Sequence, residues 1–212
     1  METVRRMRRA ERRQQIIDAA ARTFARTGFG ATSLEAVAHE AGISKVILYR
    51  HFESKTDLYR AVLDRCRERL VEQVGDDHFD AGTIPALVRA AGADPDGFRV
   101  LFRYAAREPE FRDVVDSFTA TSVELARREL AERIPDPAWA GWAARLAFTV
   151  TVEGVLAWLD TGSPDADPSG PASCADPSGP GPSGAGPLDP GVAAERITLA
   201  MRGVIGAAAK EL

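Results

Sequence analysis

The chain has 212 residues, 45% hydrophobic and 27% charged, which is enough apolar material for one or two globular domains and excludes a wholly disordered chain. Its net charge of -4 conceals a split: residues 1–70 hold 15 Lys and Arg against 9 Asp and Glu, a surplus of 6, leaving 12 against 22, a deficit of 10, for the rest. The basic end suits a polyanion such as nucleic acid and the remainder does not, although arginines also serve simply to solvate helices.

Taken in chain order, the first segment, Met1 to Arg13, is basic and lacks the apolar stretch of a secretory signal, so a cytoplasmic location is expected. Arg5, Arg6, Arg8, Arg9, Arg12 and Arg13 crowd ahead of the first helix. On a mobile arm such arginines can enter a DNA minor groove; alternatively they are solvated charges, poorly placed for the helix dipole. From Arg8 to Thr27, Ile16, Ile17, Ala20, Ala21 and Phe24 form one apolar stripe, and Gly28 suits a left-handed stop. Thr32 and Glu35 have capping-box spacing before Leu34, Val37, Ala38 and Ala41, which predicts a short second helix ended by Gly42. Ser44 is expected to cap a third helix, and Ser54, with Asp57 three residues on, a fourth running to about Gln73.

Further helices are expected near Ile84–Ala91, Asp96–Arg107, Pro109–Arg133, Pro137–Asp160 and Val192–Leu212, with no convincing strand. Residues 162–190 repeat DPSGP and are almost wholly Pro, Gly, Ser, Ala and Asp, a composition expected to be a disordered linker. Gly179, Gly181 and Gly184 fit a GxGxxG pattern there, but prolines between them and the lack of a preceding strand argue against a dinucleotide site. The most apolar stretch, Leu146 to Leu159, is short for a membrane span and contains Glu153, so no membrane partner is expected. Cys66 and Cys174 fit neither a disulfide framework nor a metal spacing. Asp76, Asp77, His78 and Asp80 read as a solvated loop, and no enzyme motif, cofactor site or metal site is expected.

The three short helices with a tight glycine turn between the second and third form a helix-turn-helix pattern. On a third helix started by Ser44, Leu48 and Phe52 lie four apart and face a core. Lys45, Val46, Tyr49, Arg50 and His51 then spread over the outer surface, where donors and an aliphatic group can meet base edges and a thymine methyl. Val46 and Ile47 either do this or pack inward.

GATSLEAVAHEAGISKVILYRHFESKTDLYRAVL, Gly30 to Leu63, resembles the DNA-binding region of TetR-type transcriptional regulators. The resemblance implies an all-α homodimer: a basic arm at 1–13, a three-helix helix-turn-helix domain at 14–55, and a helical ligand-binding and dimerisation domain at 56–212. It also implies a repressor released from a palindromic operator by a small apolar or amphipathic molecule; a constitutive DNA-binding regulator or scaffold without a ligand is the alternative. Carried over, Tyr49, His51 and Lys55 meet phosphates, Thr32 and Ser33 approach one at the second helix, and Lys45 and Val46 read bases. Ile47 stands where the family usually has threonine. For the effector, the aromatics Phe98, Phe102, Phe118 and Trp142 and the polar groups Arg103, Tyr104, Thr119, Ser122, Thr149 and Glu153 are candidates, against a plain core role for most aromatics and solvent exposure for Glu153. Small residues, among them Ala143, Ala147, Gly154, Ala193, Ala200 and Ala207, permit close packing of the last two helices, which in the family form a four-helix bundle across the dimer.

Overall fold

A computed structural model describes residues 9–75, 79–162 and 188–209, and among them every regular element is helical. The expected linker therefore lies almost wholly outside the described residues, as do Arg5, Arg6, Arg8, Asp76, Asp77 and His78.

Two compact units emerge. The first joins residues 1–76 to residues 94–122, so it extends well past residue 55. It contains α1 (Arg9–Ala31), α2 (Leu34–Glu40), α3 (Lys45–Tyr49) and α4 (Lys55–Val74). Its core is the inner stripe of α1, where Ile16, Ile17, Ala20 and Phe24 are buried as the apolar period predicts, against Val37, Leu48, Phe52, Leu58, Tyr59 and Val62. Phe24, Phe29, Tyr59 and Phe111 form an aromatic cluster with ring centroids 4.5–6.3 Å apart. The Tyr59 hydroxyl at its centre has no hydrogen-bond partner among the described residues. Its burial, with the Glu108 charge adding to it, pushes its ionisation well above the ordinary phenol range.

Sequence spacing misplaced one cap and one helix start by a residue or two. The second helix is capped by Ser33, whose Oγ accepts from the Ala36 amide at 3.1 Å, while Thr32 is buried and donates its hydroxyl to Gly28 O at 2.6 Å. The last helix starts two residues early because Asp189 caps it with Pro190 in the first turn. Helix α4 follows expectation: Ser54 Oγ accepts from the Asp57 amide at 3.0 Å, and Asp57 reaches back to the Glu53 amide at 3.1 Å.

The segment expected as one helix from 96 to 107 changes pitch. It begins as α6 (Pro95–Arg99), capped by Asp94, widens to a π-helical turn over Val100–Tyr104, and tightens to a 3-10 turn over Ala105–Arg107. A second 3-10 turn, Pro109–Phe111, precedes α7 (Arg112–Leu130), so the helix expected from 109 to 133 starts later and ends earlier.

The second unit, residues 77–93 and 123–212, holds α5 (Thr83–Ala93), α8 (Pro137–Thr161) and α9 (Pro190–Ala208), which pack on one another. Asp80 Oδ1 accepts from the Gly82 and Thr83 amides at 2.7 and 3.1 Å, closing the turn into α5. Helix α8 has the length and composition of a membrane-crossing helix although charged residues interrupt its apolar run. Its inner face, with Ala140, Ala143, Ala147, Val155 and Leu156, is nevertheless core, and Arg145 and Glu153 lie on its exposed side. At Gly154 a Cβ would lie 2.9 Å from Ile197 Cγ1, so the α8–α9 approach depends on a residue without one.

Candidate nucleic-acid interface

The interface is built on two turns in the first unit. Gly28 adopts φ 75°, ψ 171°, a conformation nearly confined to glycine, and breaks α1 so that the chain can enter α2. Here Lys55 is held by the protein's own backbone. Its ammonium, at the first residue of α4, donates to Phe29 O, Gly30 O and Thr32 O at 2.8, 3.2 and 3.1 Å and lies 4.4 Å from the Phe29 ring centroid. An ammonium has three protons, and three carbonyls of the α1–α2 turn take them. Lys55 therefore fastens that turn.

Between α2 and α3 the chain makes a Schellman turn. Ile43 N–H donates to Ala38 O at 2.9 Å and Gly42 N–H to His39 O at 3.0 Å, with Gly42 at φ 63°. Gln15 of α1 braces the turn by donating to Ala41 O at 2.9 Å. Ser44 then caps α3, its Oγ accepting from Ile47 N–H. Leu48 and Phe52 are buried, whereas Val46 is 63% and Tyr49 47% exposed, with Lys45 and Arg50 also outward. Ile47 is half-buried. Val46 is thus a large aliphatic group held in water by a helix too short to hide it.

Lys45 is not alone on that surface. Its Nζ pairs with Glu35 Oε1 of α2 and lies 5.7 Å from the Tyr49 ring centroid. The bond to Lys45 is the main reason the Glu35 carboxyl is held below its usual range, and the bond to Glu35 raises Lys45. Capping-box spacing assigns Glu35 only a capping role; with Ser33 as the cap, its side chain is directed at Lys45 instead. Ten residues separate the pair, too far for a helical-spacing rule to find.

The α1 end adds positive charge. Arg9 and Arg13 are exposed, Arg13 lies 4.8 Å from the Phe52 ring centroid, and Arg12 donates to Gln15 Oε1 at 2.7 Å. His51 is half-buried; its burial, then the charges of Arg9, Arg12 and Arg13, hold its pKa below the ordinary 6.5. Of the expected DNA-contact residues, Ser33, Ser44, Lys45, Val46, Tyr49, Arg50, His51 and Arg9 belong to this surface region. Thr32 is buried and Lys55 is engaged internally.

The expected effector residues divide between the two units. In the first, Phe98 is buried and stacks on Phe102 at 4.7 Å, which meets Phe118 at 5.9 Å. Arg103 and Tyr104 are half-buried, and Ser122 donates to Phe118 O at 3.0 Å within its own helix. In the second, Trp142, Thr149 and Glu153 are exposed on α8, with Trp142 edge-on to Trp139 and Thr149 bonded to Arg145 O.

Residues 16–62 match the profile of the bacterial regulatory proteins of the tetR family. The chain is 45% identical over 69 residues to the transcriptional activator FasR of Mycolicibacterium smegmatis, covering 32% of each chain. It is 41% identical over 58 residues to the transcriptional regulator TtgR of Pseudomonas putida, covering 27% of this chain and 28% of that one. The chain thus spans under a third of the length of either relative. The fold is shared more widely: a TetR-like regulator from Rhodococcus sp. RHA1 superposes with a TM-score of 0.69 at 24% identity over 95% of this chain and 100% of its own. Residues 16–62 thus form an N-terminal helix-turn-helix domain similar to that of the tetR-family regulators, on a helical fold shared with a TetR-like regulator.

Proposed function

We propose that the chain is a cytoplasmic homodimeric repressor that grips a palindromic operator through α3 and releases it when a small apolar or amphipathic effector binds the helical region after residue 55. The observation that carries the DNA-reading part is the exposure of Lys45, Val46, Tyr49 and the C-capping Arg50 on a short capped helix that Leu48, and Phe52 just beyond it, anchor in the core. An exposed aliphatic residue among donors suits a groove that presents both acceptors and thymine methyls. Two-fold pairing is supported by the apolar outer sides of α8 and α9, where Trp139, Trp142, Val192 and Leu199 are exposed. The linked rings of Phe98, Phe102 and Phe118, with Arg103 and Tyr104 on the same segment, support an apolar effector.

Footprinting across the chain's own upstream region is the direct test: two protected half-sites one helical turn or a multiple apart are expected, and uniform protection or none refutes the operator reading. Thermal-shift screening of small molecules, followed by release of the footprinted duplex, separates the inducible regulator from a constitutive one. FasR is named an activator, so reporter expression with and without the chain decides the direction of regulation.

A further inference from the structure

We propose that Glu35 is a specificity-determining residue of the DNA-reading surface, fixing the base step to which Lys45 donates by holding its ammonium beside the Tyr49 ring. The inference rests on the reading that α3 enters a DNA groove. Lysine is a compact charge on a flexible stem, so an untethered one on this helix would sweep across several acceptors, phosphates included, and add affinity without choice. In this chain two groups, one on each of two helices, confine it. Lys45 is the first residue of α3, Glu35 of α2 takes one of its protons through Oε1, and Tyr49, one turn further on, offers its ring face to the same ammonium.

An ammonium has three protons, and Lys45 is exposed, next in sequence to the exposed Val46. The carboxylate also works against error. Exposed on the same face, it repels a phosphate that drifts toward Lys45, so contact with an unsuitable sequence gains less than contact with a base pair offering acceptors at the held position. Both turns that set the pair apart are themselves fixed, α2 by the Ser33 cap and α3 by the Ser44 cap and the Schellman turn between them. The spacing of the two backbone positions that carry the pair is therefore a property of the folded domain.

The experiment uses the full chain and a random 30-base-pair duplex library. A preferred duplex is selected, and binding is measured for every single base-pair substitution of it with the parent, Glu35→Gln, Lys45→Met and the double variant. Lys45→Met is expected to flatten preference at one position per half-site by about 5- to 150-fold. Glu35→Gln is expected to flatten the same position while raising affinity for an unrelated duplex. The freed lysine should steepen the salt dependence on that duplex by about 0.9 per protomer. In the Lys45→Met background Glu35→Gln should change base preference no further. The proposal is overturned if Glu35→Gln leaves the Lys45-dependent position within two-fold of the parent. It is also overturned if Glu35→Gln shifts preference elsewhere equally with and without Lys45. Failure to select any duplex would overturn the DNA reading itself, a result distinct from a selected duplex that ignores Glu35.

Discussion

Replacing Lys55 with methionine keeps the stem over the Phe29 ring and removes the ammonium, which sets two accounts of this residue against each other. If Lys55 were a phosphate ligand, the free protein would lose little, and the salt dependence of DNA binding would become shallower by about 0.9 per protomer. The structure gives its three protons to Phe29 O, Gly30 O and Thr32 O instead. A hydrogen bond to a charged group contributes about 1.5–3 kcal/mol. The three bonds share one charge at a partly exposed turn where water can replace some of them, so their joint loss is about 2 kcal/mol rather than the sum. For a chain of this size each kcal/mol moves the melting temperature by about 2–4 °C, giving a fall of about 4–8 °C. Scanning calorimetry of the intact variant, with duplex binding followed from 50 to 300 mM salt on the order of a Debye length's change, tests both accounts. DNA affinity should drop because the α1–α2 turn loosens, with the salt slope unchanged. An unaltered melting temperature together with a shallower slope would refute the structural assignment and restore the phosphate contact.

Gly28→Ala should destabilise the first unit by about 1–3 kcal/mol, because φ 75° with ψ 171° is strained for any residue with a Cβ; a melting curve superposable on the parent's would contradict this. Leu199→Asp places a charge on the exposed apolar side of α9, 57% open in the single chain, and is expected to yield a folded monomer in sedimentation analysis; a persisting dimer would move the interface elsewhere. DNA binding should strengthen as pH falls from 8 toward 6, since His51 starts below 6.5 in the free protein and a phosphate beside it favours the charged ring; His51→Gln should remove that dependence at constant ionic strength, and an identical pH profile would exclude this role. The sign for folding is opposite: with the folded pKa depressed, the unfolded chain takes the proton more readily, so stability is lost as pH falls through 6.5.

The first four helices were legible because each rule involved acts over a few residues. The stripe Ile16, Ile17, Ala20 and Phe24, the glycines at 28 and 42, and the caps at Ser44 and Ser54 all carry their signal within one or two turns. The exchange of Thr32 for Ser33 as cap shows the limit of that resolution, since adjacent hydroxyls satisfy the same pattern and only the backbone path decides which turns inward. The change to a π-helical and then a 3-10 turn over residues 100–107 left no trace because the side chains there suit any helix. Partners separated by ten or more residues were invisible for a different reason. The bonds of Lys55 to residues 29–32, Gln15 to Ala41 and Glu35 to Lys45 depend on how helices are folded back on one another, which periodicity does not encode.

Helix α4 is tied at intervals along its length. Lys55 fastens the α1–α2 turn at its first residue; Arg60 donates to Glu110 O at 2.9 Å; Arg65 pairs with Asp18; and Arg69 bonds at 2.8 Å to Asp94, the residue that caps α6. Twenty residues make a rod of about 30 Å that does not shorten under load. Through Arg69 and Lys55 that rod joins the cap of α6 at one end to the Phe29, Gly30 and Thr32 carbonyls at the other. The α1–α2 turn, with glycines at 28 and 30, is the joint that would have to rotate for that rod to move.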